Sequence, residues 1–146
     1  MSMLKAQFEA TNGQLPDILG WIEEKTMELL PFSLAMKLQL AAEEAVVNVV
    51  RYAYAEDAAE RPLLLSFGNT DDIIYLEIMD YGKPFNPLEN IKADPTAALE
   101  ERELGGWGRS LMVQMTSAVS YVYRDAANVL RLEEDPSKAE QPELPE

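Results

Sequence analysis

Two apolar runs of strand length, PLLLSFGNT and DIIYLEIMD, follow each other between residues 62 and 80 and most constrain the fold. Turn-forming residues separate the runs at 69–72, so this segment predicts an antiparallel hairpin. A second hairpin is predicted from AVSYVYRD and NVLRLEE, joined across residues 125–128, and a first strand from the weakly alternating MLKAQFEA at residues 3–10. These segments predict a mostly antiparallel sheet.

Three further segments have the apolar spacing of amphipathic helices. The first is residues 15–30, which Pro31 ends, and Ser33 is predicted to cap a second helix running to about Ala55. GWGRSLMVQMTSA predicts the third helix. The order strand, helix, helix, hairpin, long loop, helix, hairpin predicts an α/β two-layer sandwich with a mostly antiparallel mixed sheet and helices on one face.

Composition limits the domain organisation and the chemistry. The 146 residues suffice for one domain, predicted over 1–133, followed by an acidic, proline-rich tail over 134–146 that we expect to be disordered. A net charge of −14 disfavours nucleic acid and anionic membranes as partners. The sequence has no cysteine or histidine, which excludes disulfides, thiolate and histidine catalysis and the usual zinc sites. The N-terminus lacks a signal pattern and no run is long enough for a membrane span, so we expect a cytoplasmic protein.

The first candidate functional feature is the pair Glu44 and Asn48 in LAAEEAVVNVVRYAY. Residues four apart lie one above the other on a helix. One interpretation is the solvated face of an amphipathic helix. The other is phosphoryl transfer, in which a carboxylate orients a hydroxyl and an amide oxygen ligates Mg²⁺.

The second feature is DYGKPFNP at residues 80–87, at the end of a predicted strand. An ionised Asp80 offers only hydrogen-bond acceptors and so suits the exocyclic amine of a purine, while Gly82 would let the backbone pass under a flat base. The alternative is an ordinary turn in which Asp, Gly and Pro serve turn geometry.

The third feature is GGWGRSLM, where Gly105, Gly106 and Gly108 precede or begin a predicted helix. Bare N–H groups and the helix dipole favour an anion at such a position, and Arg109 adds a positive charge. A tight turn or close helix packing would also select glycine here. The proline-containing stretch from Tyr81 to about Leu104 is long for a structureless connection and is typical of a lid or a binding loop.

A helical ExxxN, a strand ending in DxGxPFxP, a long loop and a GGxG that enters a helix occur here in this order. Together they resemble the ATPase fold shared by histidine kinases, gyrase B and Hsp90, often called the Bergerat fold. The compact size and the absence of a phosphoacceptor histidine make the chain most similar to the anti-sigma factor serine/threonine kinases. The resemblance covers roughly residues 5–133.

The resemblance assigns roles by position. It implies that Glu44 is the general base, that Asn48 ligates the Mg²⁺ bridging the phosphates, and that Asp80, with Gly82 beside it, reads the adenine amino group. It further implies that Gly106 and Gly108 contact phosphate and that residues 87–104 form the ATP lid. To these we add Arg109 as a phosphate contact, and Lys83 and Arg102 as weaker candidates.

Two positions depart from the family pattern. Tyr52 stands where many members have histidine in NxxxH[AG]Y, and Ala127 with Asn128 replaces a Gly-Thr pair whose threonine supports the adenine end. Asn128 can still donate and accept hydrogen bonds.

The function implied is that of an ATP-binding anti-sigma regulator that phosphorylates a serine or threonine of an anti-sigma factor antagonist and sequesters a sigma factor. The expected cofactors are ATP and Mg²⁺, the expected partners are a sigma factor and the antagonist, and a homodimer is possible by resemblance. Two alternatives stay open: an ATP-gated protein-binding module without phosphoryl transfer, and a protein scaffold that binds no nucleotide.

Overall fold

The computed structural model describes residues 3–89 and 107–138, the side chains of residues 107–110 excepted. The helices are α1 (Leu15–Leu29), α2 (Phe32–Asn48) and α3 (Trp107–Gln114). The strands are β1 (Leu4–Glu9), β2 (Pro62–Thr70), β3 (Ile73–Asp80), β4 (Ala118–Arg124) and β5 (Ala127–Glu134). A π-helical turn (Val49–Ala53) continues α2, and a 3₁₀ turn (Pro136–Lys138) follows β5.

The five strands form one sheet in the order β1-β2-β3-β5-β4, and every neighbouring pair is antiparallel. Side chains alternate between the two faces of a strand, so one face of β2 and β3 presents Leu63, Leu65, Phe67, Leu76 and Ile78 to the core. The buried faces of α1 and α2 join these side chains in one hydrophobic cluster. The predicted two-layer α/β sandwich with helices on one face is confirmed.

The first helix ends as predicted, but the start of the second does not follow the prediction. Pro31 is the N-cap of α2, with extended backbone (φ −55°, ψ 150°), and no side chain caps the helix. Ser33 lies inside the first turn and is not the cap. Leu30 and Pro31, both with extended backbone, connect α1 to α2, and the fixed φ and missing N–H of proline suit the position before a helix.

Two tight turns set the register of the hairpins. Asp71 has a positive φ of 55° between β2 and β3, whereas Asn69 and Thr70, predicted as turn residues, pair with Ile74 and Ile73 at the ends of the strands. Between β4 and β5 both turn residues have positive φ, 53° at Asp125 and 63° at Ala126. Two successive positive φ values match the right-handed twist of the strands that the turn joins.

The ordered part of the chain extends past the predicted domain boundary at residue 133. Glu134 is the last residue of β5, is only 1% exposed, and accepts hydrogen bonds at Oε1 from the Ser117 amide (2.7 Å) and hydroxyl (3.2 Å). Burial raises the pKa of Glu134, and both hydrogen bonds and the charge of Lys37 oppose this rise. Glu134, predicted as the first residue of the tail, thus belongs to β5, and residues 139–146 of the predicted tail lie outside the described part.

Within the described ranges, no helix is both long enough and apolar enough to cross a bilayer.

Candidate functional site

A cleft opens where the end of α2 meets the end of β3. The space between its walls, open solvent at its mouth included, is about 450 Å³. Its walls come from α2 and the π-helical turn, from β3 and the loop after it, and from β4 and β5. The lining side chains are Ala45, Asn48, Val49, Tyr52, Ala53, Ile78, Asp80, Lys83, Phe85, Pro87, Tyr121, Asn128 and Leu130.

Asp80 is the carboxylate of this cleft. It is the last residue of β3, is 5% exposed, and lies on the face of the sheet that carries the apolar core. Its Oδ1 accepts hydrogen bonds from the Gly82 amide and from Asn128 Nδ2, both at 2.9 Å. No described residue donates to Oδ2, so this oxygen is left for a donor that enters the cleft.

Burial raises the pKa of Asp80 above its ordinary value, because a carboxylate loses hydration there. The hydrogen bonds from Asn128 and from the Gly82 amide act in the opposite direction, since both stabilise the ionised form. The site therefore combines a costly position for a negative charge with two donors that compensate it.

Asn128 connects three parts of the site, a role that the sequence did not reveal. It is 6% exposed and is the β5 residue paired with Asp80 across the sheet. Besides Asp80, its Nδ2 donates to the Lys83 carbonyl (2.8 Å), and its Oδ1 accepts from the Phe85 amide (3.0 Å) and the Tyr121 hydroxyl. The position that departs from the family pattern thus holds the loop after β3 in place.

Gly82 supports the cleft without lining it. A Cβ on this residue would lie 2.2 Å from the carbonyl oxygen of Ala53, and the Lys83 amide donates to that same oxygen (3.2 Å). The loop after β3 therefore packs directly on the π-helical turn. The close approach of the Ala53 backbone is enough to explain a glycine at position 82, independently of any ligand.

Tyr54, directly after the π-helical turn, connects this turn to the loop after β3 and to the start of β2. Its hydroxyl donates to the Pro62 carbonyl and accepts from the Tyr81 amide at 2.8 Å. Burial raises the pKa of Tyr54 to about 12, and the hydrogen bond from Tyr81 opposes this rise. The phenol therefore stays protonated and can keep both hydrogen bonds.

The structure brings together some of the predicted site residues and not others. Asn48 and Asp80 line the same cleft, and no described residue hydrogen-bonds to the side-chain amide of Asn48. Glu44 lies one helical turn before Asn48, is partly exposed, and is not among the side chains that line the cleft. Tyr52, at the position of the missing histidine, is 49% exposed at the rim.

The predicted glycine motif and lid fall largely outside the described residues. Gly105, Gly106 and Arg102 lie outside them, as does the lid beyond residue 89. Gly108 and Arg109 are in the first turn of α3, where unpaired backbone N–H groups are expected. The described residues contain no group of three or more acidic side chains that could hold a metal by itself.

Residues 8–133 match the family described as the histidine kinase-like ATPase domain. The match covers most of the chain and contains the whole cleft, so the chain belongs to this family.

The chain is also similar to two known proteins. It is 29% identical over 117 residues to the serine/threonine-protein kinase BtrW of Bordetella bronchiseptica, a match that covers 80% of this chain and 82% of BtrW. It also resembles a crystal structure of the RsbU and RsbW domains of Rv1364c from Mycobacterium tuberculosis, with a TM-score of 0.65 and 15% identity. That match covers 92% of this chain and 32% of the other chain. These comparisons confirm the predicted resemblance and the fold.

Proposed function

We propose that this chain binds ATP with Mg²⁺ in the cleft and transfers the γ-phosphoryl group to a serine or threonine of an anti-sigma factor antagonist, while its other partner is a sigma factor. The observation that carries the proposal is the buried Asp80 carboxylate, with one oxygen open to the cleft. Because an ionised carboxylate only accepts hydrogen bonds, it suits the exocyclic amine of adenine.

The cleft walls fit a flat base. Phe85 and Tyr121 line the cleft beside Asp80, and Tyr52 stands at its rim. Aromatic faces pack against a nucleobase, and base–aromatic stacking contributes about 1–3 kcal/mol. The adenine end is thus assigned to the region between the loop after β3 and strands β4 and β5.

The phosphate end is assigned to α2 and the start of α3. The side-chain amide of Asn48 lines the cleft without a hydrogen-bond partner among the described residues. Its oxygen is a hard ligand of the type that Mg²⁺ prefers. Since no acidic cluster accompanies it there, Asn48 would share the ion with phosphate oxygens and water. The bound ion supplies charge neutralisation at the phosphates. Gly106, Gly108 and Arg109 are proposed as phosphate contacts.

Glu44 is the proposed general base. Its carboxylate has no hydrogen bond or ion pair with a described residue, so it can accept a hydrogen bond from a substrate hydroxyl. In the transfer, the substrate hydroxyl oxygen bonds to the γ-phosphorus, the bond to the β,γ-bridging oxygen breaks, ADP leaves, and the hydroxyl proton passes to Glu44.

A surface suited to a protein substrate lies on the same helix. Phe32, Met36 and Leu40 follow each other at four-residue spacing on α2 and are 68%, 40% and 43% exposed. Large apolar side chains aligned on one helical face are typical of a protein contact. Leu40 is one turn before Glu44, so a partner docked on this stripe would bring its hydroxyl towards the proposed base.

One observation favours a second candidate function, an ATP-gated binding module without phosphoryl transfer. Glu44 does not line the cleft that contains Asn48 and Asp80. If closure around ATP leaves Glu44 outside the site, ATP would control partner binding alone.

The test is an incubation of the purified chain with Mg²⁺, γ-labelled ATP and the antagonist proteins of the organism that makes it. The proposal predicts label on one antagonist with the wild type, and none with Glu44→Gln, which should still bind ATP. Partner binding that depends on ATP with no label transferred would favour the binding module. Glu43→Gln, one residue away and exposed, is the matched control that should keep transfer.

A further inference from the structure

The side chain of Asn128 has no hydrogen-bonding capacity left for a ligand. A primary amide has two N–H donors and an oxygen with two lone pairs. The donors are taken by Asp80 Oδ1 and the Lys83 carbonyl, with a longer contact to the Gly82 carbonyl at 3.4 Å. The oxygen is taken by the Phe85 amide and the Tyr121 hydroxyl.

This network also fixes which oxygen of Asp80 meets the ligand. Asn128 Nδ2 and the Gly82 amide both donate to Oδ1. Rotation of the carboxylate would break two hydrogen bonds to a buried charge, and such bonds are the stronger ones. The orientation that presents Oδ2 to the cleft is therefore held by protein contacts before any ligand arrives.

We infer that Asn128 is a positioning residue that sets base selectivity: it aims Asp80 Oδ2 at the ligand, and it leaves this single acceptor to recognise an exocyclic amine. The inference rests on the proposed function only in taking a nucleotide as the ligand. Asn128 acts on the base through Asp80 and makes no hydrogen bond to the base of its own, because all its donors and acceptors are used within the protein.

Recognition through one acceptor limits how strongly the amine is selected. A hydrogen bond to a charged group contributes an amount that corresponds to roughly 10- to 150-fold in affinity. The suitable probe is purine riboside 5′-triphosphate, which lacks the exocyclic amine of ATP and keeps the ring nitrogens. The wild type should bind ATP roughly 10- to 150-fold more tightly than this analogue.

Asp80→Asn tests the fixed orientation. Two donors point at the position of Oδ1, so the carbonyl oxygen of the new amide will occupy it and the NH₂ group will take the place of Oδ2. A donor then faces the donor on adenine. We expect the preference for ATP over the analogue to fall to one or below.

Asn128→Ala and Tyr121→Phe test the positioning role. Asn128→Ala removes the whole network. Tyr121→Phe removes one hydroxyl donor and keeps the ring, so we expect this variant to fold even if Asn128→Ala does not. We expect the ratio of the two dissociation constants to fall in both variants, and by more in Asn128→Ala. Asn69→Ala, at an exposed asparagine near the end of β2, is the matched control and should keep the wild-type ratio.

Amide hydrogen exchange supplies a readout that needs no ligand. The Phe85 amide donates to Asn128 Oδ1, so its exchange should accelerate in Asn128→Ala and stay unchanged in Asn69→Ala. A folded Asn128→Ala with the wild-type ratio, or with a protected Phe85 amide, would overturn the inference. If the wild type binds neither nucleotide, the proposed function fails, and exchange at Phe85 still decides whether Asn128 holds the loop.

Discussion

Replacement of Gly82 by alanine tests the contact on which the geometry of the cleft depends. The added Cβ would lie 2.2 Å from the Ala53 carbonyl oxygen, 2.6 Å from its carbonyl carbon and 2.8 Å from its Cβ. Two of these atoms are backbone, so no side-chain rotation can relieve the overlap. Overpacking costs about 1–3 kcal/mol, and we expect the upper end here because the Lys83 hydrogen bond to the same oxygen is also displaced.

The chain offers a matched control for this substitution. A Cβ on Gly20, in the interior of α1, would have no heavy atom within 4 Å. Alanine is favoured over glycine in a helix by about 1 kcal/mol, so Gly20→Ala should stabilise the protein.

Thermal unfolding measures both variants. For a chain of this size, about 4 °C of Tm corresponds to each kcal/mol. We therefore expect Gly82→Ala to lower the Tm by about 10 °C and Gly20→Ala to raise it by about 4 °C. A Gly82→Ala protein that melts within about 2 °C of the wild type would refute the packing argument.

Three further predictions follow from single residues. Ala126→Gly should raise the free energy of unfolding by about 1 kcal/mol in denaturant titration, because φ is 63° there and alanine is strained in the left-handed region; no change would contradict this. Tyr54→Phe should lower it by about 1–3 kcal/mol, since the Pro62 carbonyl and the Tyr81 amide lose their partner; a neutral result would mean that water replaces the hydroxyl. The pKa of Glu134 is raised by burial above its ordinary value of 4.5, so the folded chain holds this proton more tightly than the unfolded chain, and its contribution to stability falls as the pH rises from 4.5 through the folded value. The Tm of Glu134→Gln relative to the wild type should therefore rise between about pH 4 and about pH 8, and a constant difference would contradict the shift.

The secondary structure was largely predictable because its signals are local. Alternation in residues 62–80 and the proline after α1 carry their information within a few residues, and β2, β3 and the end of α1 follow them. The cap of α2 was predicted wrongly because Ser33 is a good cap by type, whereas Pro31 already fixes the backbone that enters the helix.

The π-helical turn and the Asn128 network could not be predicted in the same way. The turn at Val49–Ala53 packs on Gly82, a residue distant in sequence. Asn128 meets Asp80 only because β3 pairs with β5 in one particular register. The available signals were the polar Asn128 in the mostly apolar stretch ANVLRL and its place at the position of the family's threonine, and without the register neither indicates a partner.

The candidate site was predicted in part. The motifs indicated Asp80 and Asn48, and the structure places both in one cleft. The roles given to all the candidate site residues remain predictions: Asp80, Asn48, Glu44, Gly82, Gly106, Gly108 and Arg109. The position of Gly82 against Ala53 shows that a glycine in a binding motif can also be required by packing.

The most direct test of the account is a calorimetric titration of the purified chain with ATP in the presence of Mg²⁺, beside the same titration of Asp80→Asn. The account predicts saturable binding by the wild type and loss of most of it in the variant, since the amide places a donor where adenine needs an acceptor. Equal binding by both proteins would contradict the assignment of Asp80 to the adenine amine. No binding by either would contradict the proposal that the cleft is a nucleotide site.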